Sequence, residues 1–171
     1  MHQSDDDEYV EYVTTRGAAL RRSAYLLCGD WHRADDLVQS AITKLYVHWR
    51  KARRADHLDA YVRRILVRVF LDEQRLAWAR VGRFANAPDR PAVTRGHAEE
   101  RLVLLDALAQ VPPRQRAVLV LRFFEDLSVE QTAEVLRCSA GTVKSQTSHG
   151  LATLRRLVPD LAPSLATRGS L

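Results

Sequence analysis

The stretch from Ser139 to Arg156 holds Lys144, His149, Arg155 and Arg156 and no acidic residue. Wound as a helix, it puts Val143, Leu151, Leu154 and Val158 on one side. Thr142, Lys144, Ser145, Ser148 and His149 fall on the other, and short polar and basic side chains in that pattern reach phosphates and base edges. A second constellation is a stripe of arginines. Arg64, Arg68 and Arg75 stand at i, i+4 and i+11 with Arg63 beside them, a spacing that can neutralise phosphates along a single strand. A third is acidic and polar: Asp36, Gln39 and Thr43 stand at i, i+3 and i+7, opposite an apolar stripe. Taken alone, such a trio is most simply a solvated face. Reactive sets fare worse. Cys28 and His32 have ligand-like spacing, but Gly29-Asp30 breaks the helix that would align them, and no second pair lies nearby. Ser148 and His149 are adjacent and point apart on a helix, so they make no nucleophile and base. Gly141-Thr-Val-Lys-Ser145 lacks the leading glycine of a phosphate loop. Asp72 reads as an ion pair with Arg68 or Arg75. The chemistry indicated is polyanion binding, with no catalytic set, metal or cofactor.

The charge distribution agrees. The 171 residues carry 26 Lys and Arg against 21 Asp and Glu. Five of the acids (Asp5, Asp6, Asp7, Glu8, Glu11) lie in the first eleven residues, where no Lys or Arg occurs, so the remainder has 26 cations against 16 anions, a net +10. Lys44, Lys51 and Lys144 are the only lysines. A cationic surface so rich in arginine favours polyanions, nucleic acid first. The acidic head is able to lie against the arginine stripe. No apolar run approaches the roughly 20 residues of a membrane span, and the head lacks the apolar core of a signal peptide. Two cysteines, Cys28 and Cys138, make no disulfide framework and read as buried thiols in a reducing cytoplasm.

These residues need helices to hold them. Val13, Leu20, Ala24 and Leu27 mark one helix, which Cys28-Gly29-Asp30 stops while supplying the next cap. Ala34, Leu37, Val38, Ala41, Ile42, Leu45 and Trp49 form an apolar stripe on a second. A polar connection spans Lys51 to Asp59. Val62, Ile65, Leu66, Val69 and Leu76 then mark a third helix to about Gly82. Residues 84–97, with two prolines, a glycine and no apolar period, read as a flexible linker. Beyond it, one helix covers Glu99 to Gln110 and another follows Val111-Pro112-Pro113 from Arg114 to Phe124. Ser128 and Gln131 form a capping box for a helix to Leu136 that carries an acidic group (Glu125, Asp126, Glu130, Glu134) at its start. After the turn Arg137-Cys138-Ser139, the last helix runs from Ala140 to about Val158. Two helices so tightly joined read as a helix-turn-helix, with Ala133 at the close crossing and Val143 as anchor. The tail 159–171 reads as a frayed end. The fold class is all-α: two small helical modules on a tether, spanning 1–83 and 98–158.

Here a family resemblance covers both modules in order. Ala34-Asp-Asp-Leu-Val-Gln39 with the stripe ending at Trp49 resembles region 2.1–2.2 of the extracytoplasmic-function (group 4) sigma factors of the sigma-70 family. Tyr61-Val-Arg-Arg-Ile-Leu-Val-Arg-Val-Phe-Leu-Asp72 resembles their region 2.3–2.4. Val111-Pro-Pro-Arg-Gln-Arg116, Leu127-Ser-Val-Glu-Gln-Thr-Ala133 and Gly141-Thr-Val-Lys-Ser145 resemble region 4.1–4.2.

The resemblance implies a bacterial, cytoplasmic, non-catalytic transcription initiation factor. Its partners would be core RNA polymerase, through the β′ coiled coil and the β flap, and promoter DNA, with room for an anti-sigma factor. Asp35, Asp36, Gln39 and Thr43 would bind the polymerase. Arg53, Arg54 and His57, in the loop where the family captures a flipped base, would join Arg63, Arg64, Arg68 and Arg75 at the −10 element. Ser139, Thr142, Lys144, Ser145, Gln146, Ser148, His149 and Arg155 would serve the −35 element. Arg68 stands where the family commonly has Asn, and Gln146 and His149 where Arg is frequent, so an altered base preference is expected. Two other readings compete. A stand-alone helix-turn-helix regulator leaves the Asp36–Gln39 face and the arginine stripe without a task. An enzyme built in the first bundle lacks a converging acid-base set.

Overall fold

The computed structural model describes residues 3–81 and 97–159, with side chains placed for 5–80 and 101–159. Eight α-helices account for the described chain: α1 (Gln3–Cys28), α2 (Trp31–Val47), α3 (Trp49–Ala52), α4 (Leu58–Val81), α5 (His97–Gln110), α6 (Pro113–Leu119), α7 (Val129–Leu136) and α8 (Ala140–Leu157). No strand occurs among the described residues. The linker expected at 84–97 lies outside them except for His97, which opens α5, and the tail lies outside beyond residue 159.

Local signals set the helix ends. Gly29 takes φ +73°, a left-handed value that side chains resist, and Asp30 accepts the Arg33 amide as N-cap of α2. Pro113 begins α6, where its missing N–H costs nothing. The Ser128–Gln131 capping box is complete, each side chain bonding the other residue's backbone. Arg137 closes α7 at φ 52°, and Ser139 caps α8 by accepting the Thr142 amide at 3.0 Å.

Four details differ from the sequence reading. The connection between the second and third helices is shorter, because Trp49–Ala52 winds into α3 and Leu58 already starts α4. Trp49, buried against the rings of Tyr9 and Tyr12, drives that turn. The stretch after Arg114 does not stay α-helical. It passes into a π turn, Val120–Phe124, where the Glu125 amide reaches back to Val120. Glu125 and Asp126 therefore precede α7 rather than belong to it. Leu76 is 54% exposed, not part of the inward face of α4. Instead Val67 and Phe70, outside the predicted stripe, are buried.

Their burial has one cause: the modules are packed on each other. Leu20, Ala24 and Leu27 of α1 and Leu66, Val67 and Phe70 of α4 share one continuous buried core with Ala117, Val120, Leu121, Leu127 and Val135. A smaller core joins Ala107 and Val111 to Leu119, Leu151, Leu154 and Val158. Each fully buried Leu or Phe contributes about 1.5–3 kcal/mol relative to exposure, so the seam between modules is a substantial part of the fold.

Candidate nucleic-acid and polymerase interface

The helix-turn-helix is built from behind. Val143 is fully buried, and Leu151 and Leu154 continue the same side of α8, so the opposite side must face outward. Lys144, Ser145, Ser148, His149 and Arg155 are exposed there. Gly150 permits the close crossing of α6: a Cβ at that position would stand 2.9 Å from Leu119 Cδ1. Ser139 is occupied as a cap and also bonds the Thr142 hydroxyl at 2.9 Å. Thr142 and Gln146 are half-buried and line a small pocket with Leu71 of α4, Arg114, Leu136 and Cys138. Cys138 is thus only partly covered, not the buried thiol expected; Cys28 is buried, and burial raises its pKa.

On α4 the predicted arginines divide. Arg68 and Arg75 line a cleft of about 510 Å³ whose other wall is Pro112, Pro113, Arg114, Leu136 and Arg137. Asp72 pairs with Arg75 at 3.6 Å, as expected for neighbouring helical charges. Arg63 turns elsewhere and donates through Nε to Glu125 at 2.7 Å. Arg64 is half-buried, and its Nε has no hydrogen-bond partner. Arg54 and His57 are exposed in the loop before α4. Arg53 is held by Asp5 at 2.6 Å and Glu8 at 2.7 Å, and Asp5 also approaches Arg50 at 3.4 Å. The acidic head therefore lies on Arg50 and Arg53 rather than on the stripe of α4. As the first turns of α1, it is fixed where α3 passes, with Tyr9 bonding the Ile42 carbonyl at 2.8 Å and stacking edgewise on Tyr46.

The outer face of α2 is open. Asp36, Gln39 and Thr43 are all exposed on it, and the Thr43 hydroxyl donates to the Gln39 carbonyl at 2.7 Å. Asp35 differs. Arg21 of α1 grips it with two bonds, at 2.5 and 3.1 Å, and that hydrogen-bonded charge holds the carboxyl below its ordinary pKa. Arg21 also covers the Trp31 ring, at 4.5 Å from its centroid. Among the described residues, no group of three or more His, Cys, Asp and Glu is placed to hold a metal, and no helix is long and apolar enough to cross a membrane.

Two side chains with structural weight escaped the sequence reading. Arg116 is buried and donates to the carbonyls of Leu27, Ala109 and Val111 at 2.6, 2.5 and 2.9 Å. Burial pushes its pKa down to about 10, which leaves it charged at neutral pH. Glu125 accepts from both Arg63 and the buried Ser23 hydroxyl. Arg116 sits at the end of the Pro-Pro-Arg-Gln-Arg motif; a charge leading directly into the apolar run Ala117–Leu121 was its only signal. Nothing local marks Glu125.

Comparison with known proteins places this arrangement. The family model Sigma-70 region 2 matches residues 13–80, and Sigma-70, region 4 matches residues 101–154. RNA polymerase sigma-E factor of Streptomyces coelicolor is 39% identical over 155 residues, covering 86% of this chain and 84% of the relative. The chain belongs to the extracytoplasmic-function sigma factors. The ECF RNA polymerase sigma factor SigL of Mycobacterium tuberculosis is 30% identical over 150 residues, with 84% and 85% of the two chains covered. The fold matches a solved sigma factor, RpoE of Bartonella quintana in complex with the anti-sigma factor NepR. The TM-score is 0.70 at 23% identity, covering 89% of this chain and 97% of that one. As a sigma factor, the chain directs promoter-specific initiation of transcription by RNA polymerase. The regions matched fall within the two helical modules.

Proposed function

We propose that this sigma factor works in the cytoplasm without catalysis of its own, and that its three surfaces divide the task. The outer face of α2, with Asp36, Gln39 and Thr43, docks on the core enzyme. Arg64, Arg68 and Arg75 of α4, with Arg54 and His57 before it, hold the opened −10 strand, where cations neutralise phosphate and a loop can receive an unstacked base. α8 enters the major groove of the −35 element with Lys144, Ser145, Ser148 and His149 leading. Asp35 acts through Arg21, fixing α1 against α2, rather than as a free docking charge. An anti-sigma factor is a partner of the same kind that the solved relative carries.

The observation that carries this reading is the polarity of α8: every apolar anchor lies behind it, and an acid-free polar face lies in front. Reconstitution tests it. The full chain is mixed with core polymerase and assayed for run-off transcription on a promoter library. Initiation confined to templates with a shared −35 and −10 sequence is the expected outcome. Failure to co-elute with core, together with tight sequence-specific binding by the free chain, would instead indicate a stand-alone regulator.

A further inference from the structure

The cleft beside α4 gathers more positive charge than its own residues answer. Arg68 and Arg75 reach it from α4, Arg114 from the first turn of α6 and Arg137 from the end of α7, and Asp72 is the one carboxylate among the residues that line it. Asp72 takes Arg75 at 3.6 Å. The side chains of Arg68, Arg114 and Arg137 have no hydrogen-bond or ion-pair partner among the described residues. All are exposed, so solvent screens their repulsion, yet uncompensated guanidinia around one concavity focus a positive potential into it. Arg137 also carries a left-handed φ of 52°. That conformation favours glycine or asparagine, so the turn presents a guanidinium where the backbone alone would not choose one.

The rest of the cleft has another character. Val67, Leu71, Val135 and Leu136 give it an apolar wall, and Trp78 adds an indole that is 65% exposed and has no aromatic partner among the described residues. Its volume of about 510 Å³ lies within the range of about 300–1,000 Å³ typical of small-molecule sites, which likewise combine apolar walls with a few convergent polar groups.

We propose that this cleft binds a purine nucleoside triphosphate, its phosphates held by Arg68, Arg114 and Arg137 and its base laid on Trp78. A guanidinium donates two parallel N–H bonds to phosphate oxygens, and adjacent phosphates can accept from several arginines at once. A base stacks on an exposed aromatic face, and a purine offers more ring area than a pyrimidine. An acidic peptide or inorganic polyphosphate would satisfy the arginines and leave the indole without a use. The site stands apart from the sigma-factor reading. Its consequence rests on that reading: Arg68 serves the opened −10 strand there, so strand and nucleotide compete for it.

Calorimetry and tryptophan fluorescence on the full chain test the site, with ATP, GTP, inorganic triphosphate and adenosine as probes in magnesium-free buffer. Saturable binding of ATP and GTP with quenched emission is expected, and inorganic triphosphate should bind about tenfold more weakly for want of the stacked base. Adenosine, lacking phosphates, should be weaker still. Trp78→Leu should abolish the quenching and bring ATP down to the affinity of inorganic triphosphate. Arg137→Gly suits the left-handed turn, so it should keep the melting temperature while weakening ATP about tenfold, and Arg114→Ala should weaken it similarly. Arg22→Ala, an exposed arginine of α1 outside the cleft, should change nothing. Affinity unmoved by Arg137→Gly and Arg114→Ala, or lowered equally by Arg22→Ala, would reduce the binding to general attraction by a basic surface and overturn the site. Inorganic triphosphate matching ATP, with Trp78→Leu inert, would overturn the nucleotide as ligand, and so would tighter binding by an oligoglutamate peptide. No polymerase enters these measurements. Failure of run-off transcription would count against the sigma-factor roles and leave the binding result standing.

Discussion

Gln146 stands two residues beyond Lys144 on the same helix, yet their surroundings differ: Lys144 is exposed, and Gln146 is half-buried against Leu71 and Cys138. A lysine free in solvent is suited to phosphate, so Lys144→Ala should weaken −35 binding for all sequences alike and lower the salt slope by about 1. An amide can pair with adenine at two points, and Gln146→Ala should relax preference at one −35 position, a loss of about 1–3 kcal/mol of discrimination. Promoter-library profiles on the reconstituted holoenzyme measure both, and a profile for Gln146→Ala identical to wild type would remove that residue from base reading. Asp36 invites a different measurement. It is exposed, and exposed substitutions change stability by about 0.5 kcal/mol or less. Asp36→Arg should therefore abolish co-elution with core polymerase while the melting temperature holds, and undiminished co-elution would sink the docking role. Asp35→Arg should also lower stability, because its carboxylate is bonded to Arg21.

At the scale of the elements, most of the scaffold was legible because its signals are local. The Asp30 cap, the Pro113 start, the Ser128–Gln131 box and the Ser139 cap each act within one helical turn. The apolar stripe of α2 reads directly as burial, with Ala34, Leu37, Ala41 and Leu45 fully enclosed. The π turn was not legible. It inserts an extra residue per turn where Leu121 is buried in the seam between modules, and no local propensity encodes that demand. The crossing of α6 and α8 yields a prediction of its own. Gly150→Ala would press a methyl against Leu119 Cδ1 at 2.9 Å and Cγ at 3.1 Å. Overpacking of this kind costs about 1–3 kcal/mol, against about 1 kcal/mol of helix propensity gained, so a net loss is expected. Thermal unfolding should show the loss, and a variant as stable as wild type would mean that Leu119 yields freely.

Across the whole molecule, charge placement governs behaviour in salt. Asp5 and Glu8 neutralise Arg53, and Asp5 also screens Arg50, so the head masks cations in the loop that precedes α4. Deleting residues 1–8 removes both carboxylates and should increase non-specific DNA binding by the free chain. The gain should be largest at low salt, where the screening length grows from about 8 Å to tens of Å. Anisotropy on a scrambled duplex across a salt series measures it, and equal affinity at every ionic strength would show that the head has no masking effect. The head was expected on the arginine stripe of α4. It lies instead on Arg50 and Arg53, because α1 is one continuous helix from Gln3 and its first turns run past α3.

The sequence by itself determined the longer helices, the helix-turn-helix, the inward face of α8 and the family, since each follows from spacing within a helix or from motifs a few residues long; α3 and the π turn it did not. It also placed Asp36, Gln39 and Thr43 on one face, where periodicity alone suffices. Tertiary structure decided which of the named cations are free. Arg63 is held by Glu125, 62 residues away in sequence, and Arg53 by Asp5 and Glu8, while Arg54 stays exposed beside it. It also decided that two modules expected on a tether share one core through Phe70, Val67 and Leu121. Helix periodicity registers how residues sit around a single axis. It carries no information about which other helix covers an apolar position, so the seam and the partial burial of Thr142 and Gln146 emerge only when the chain is packed.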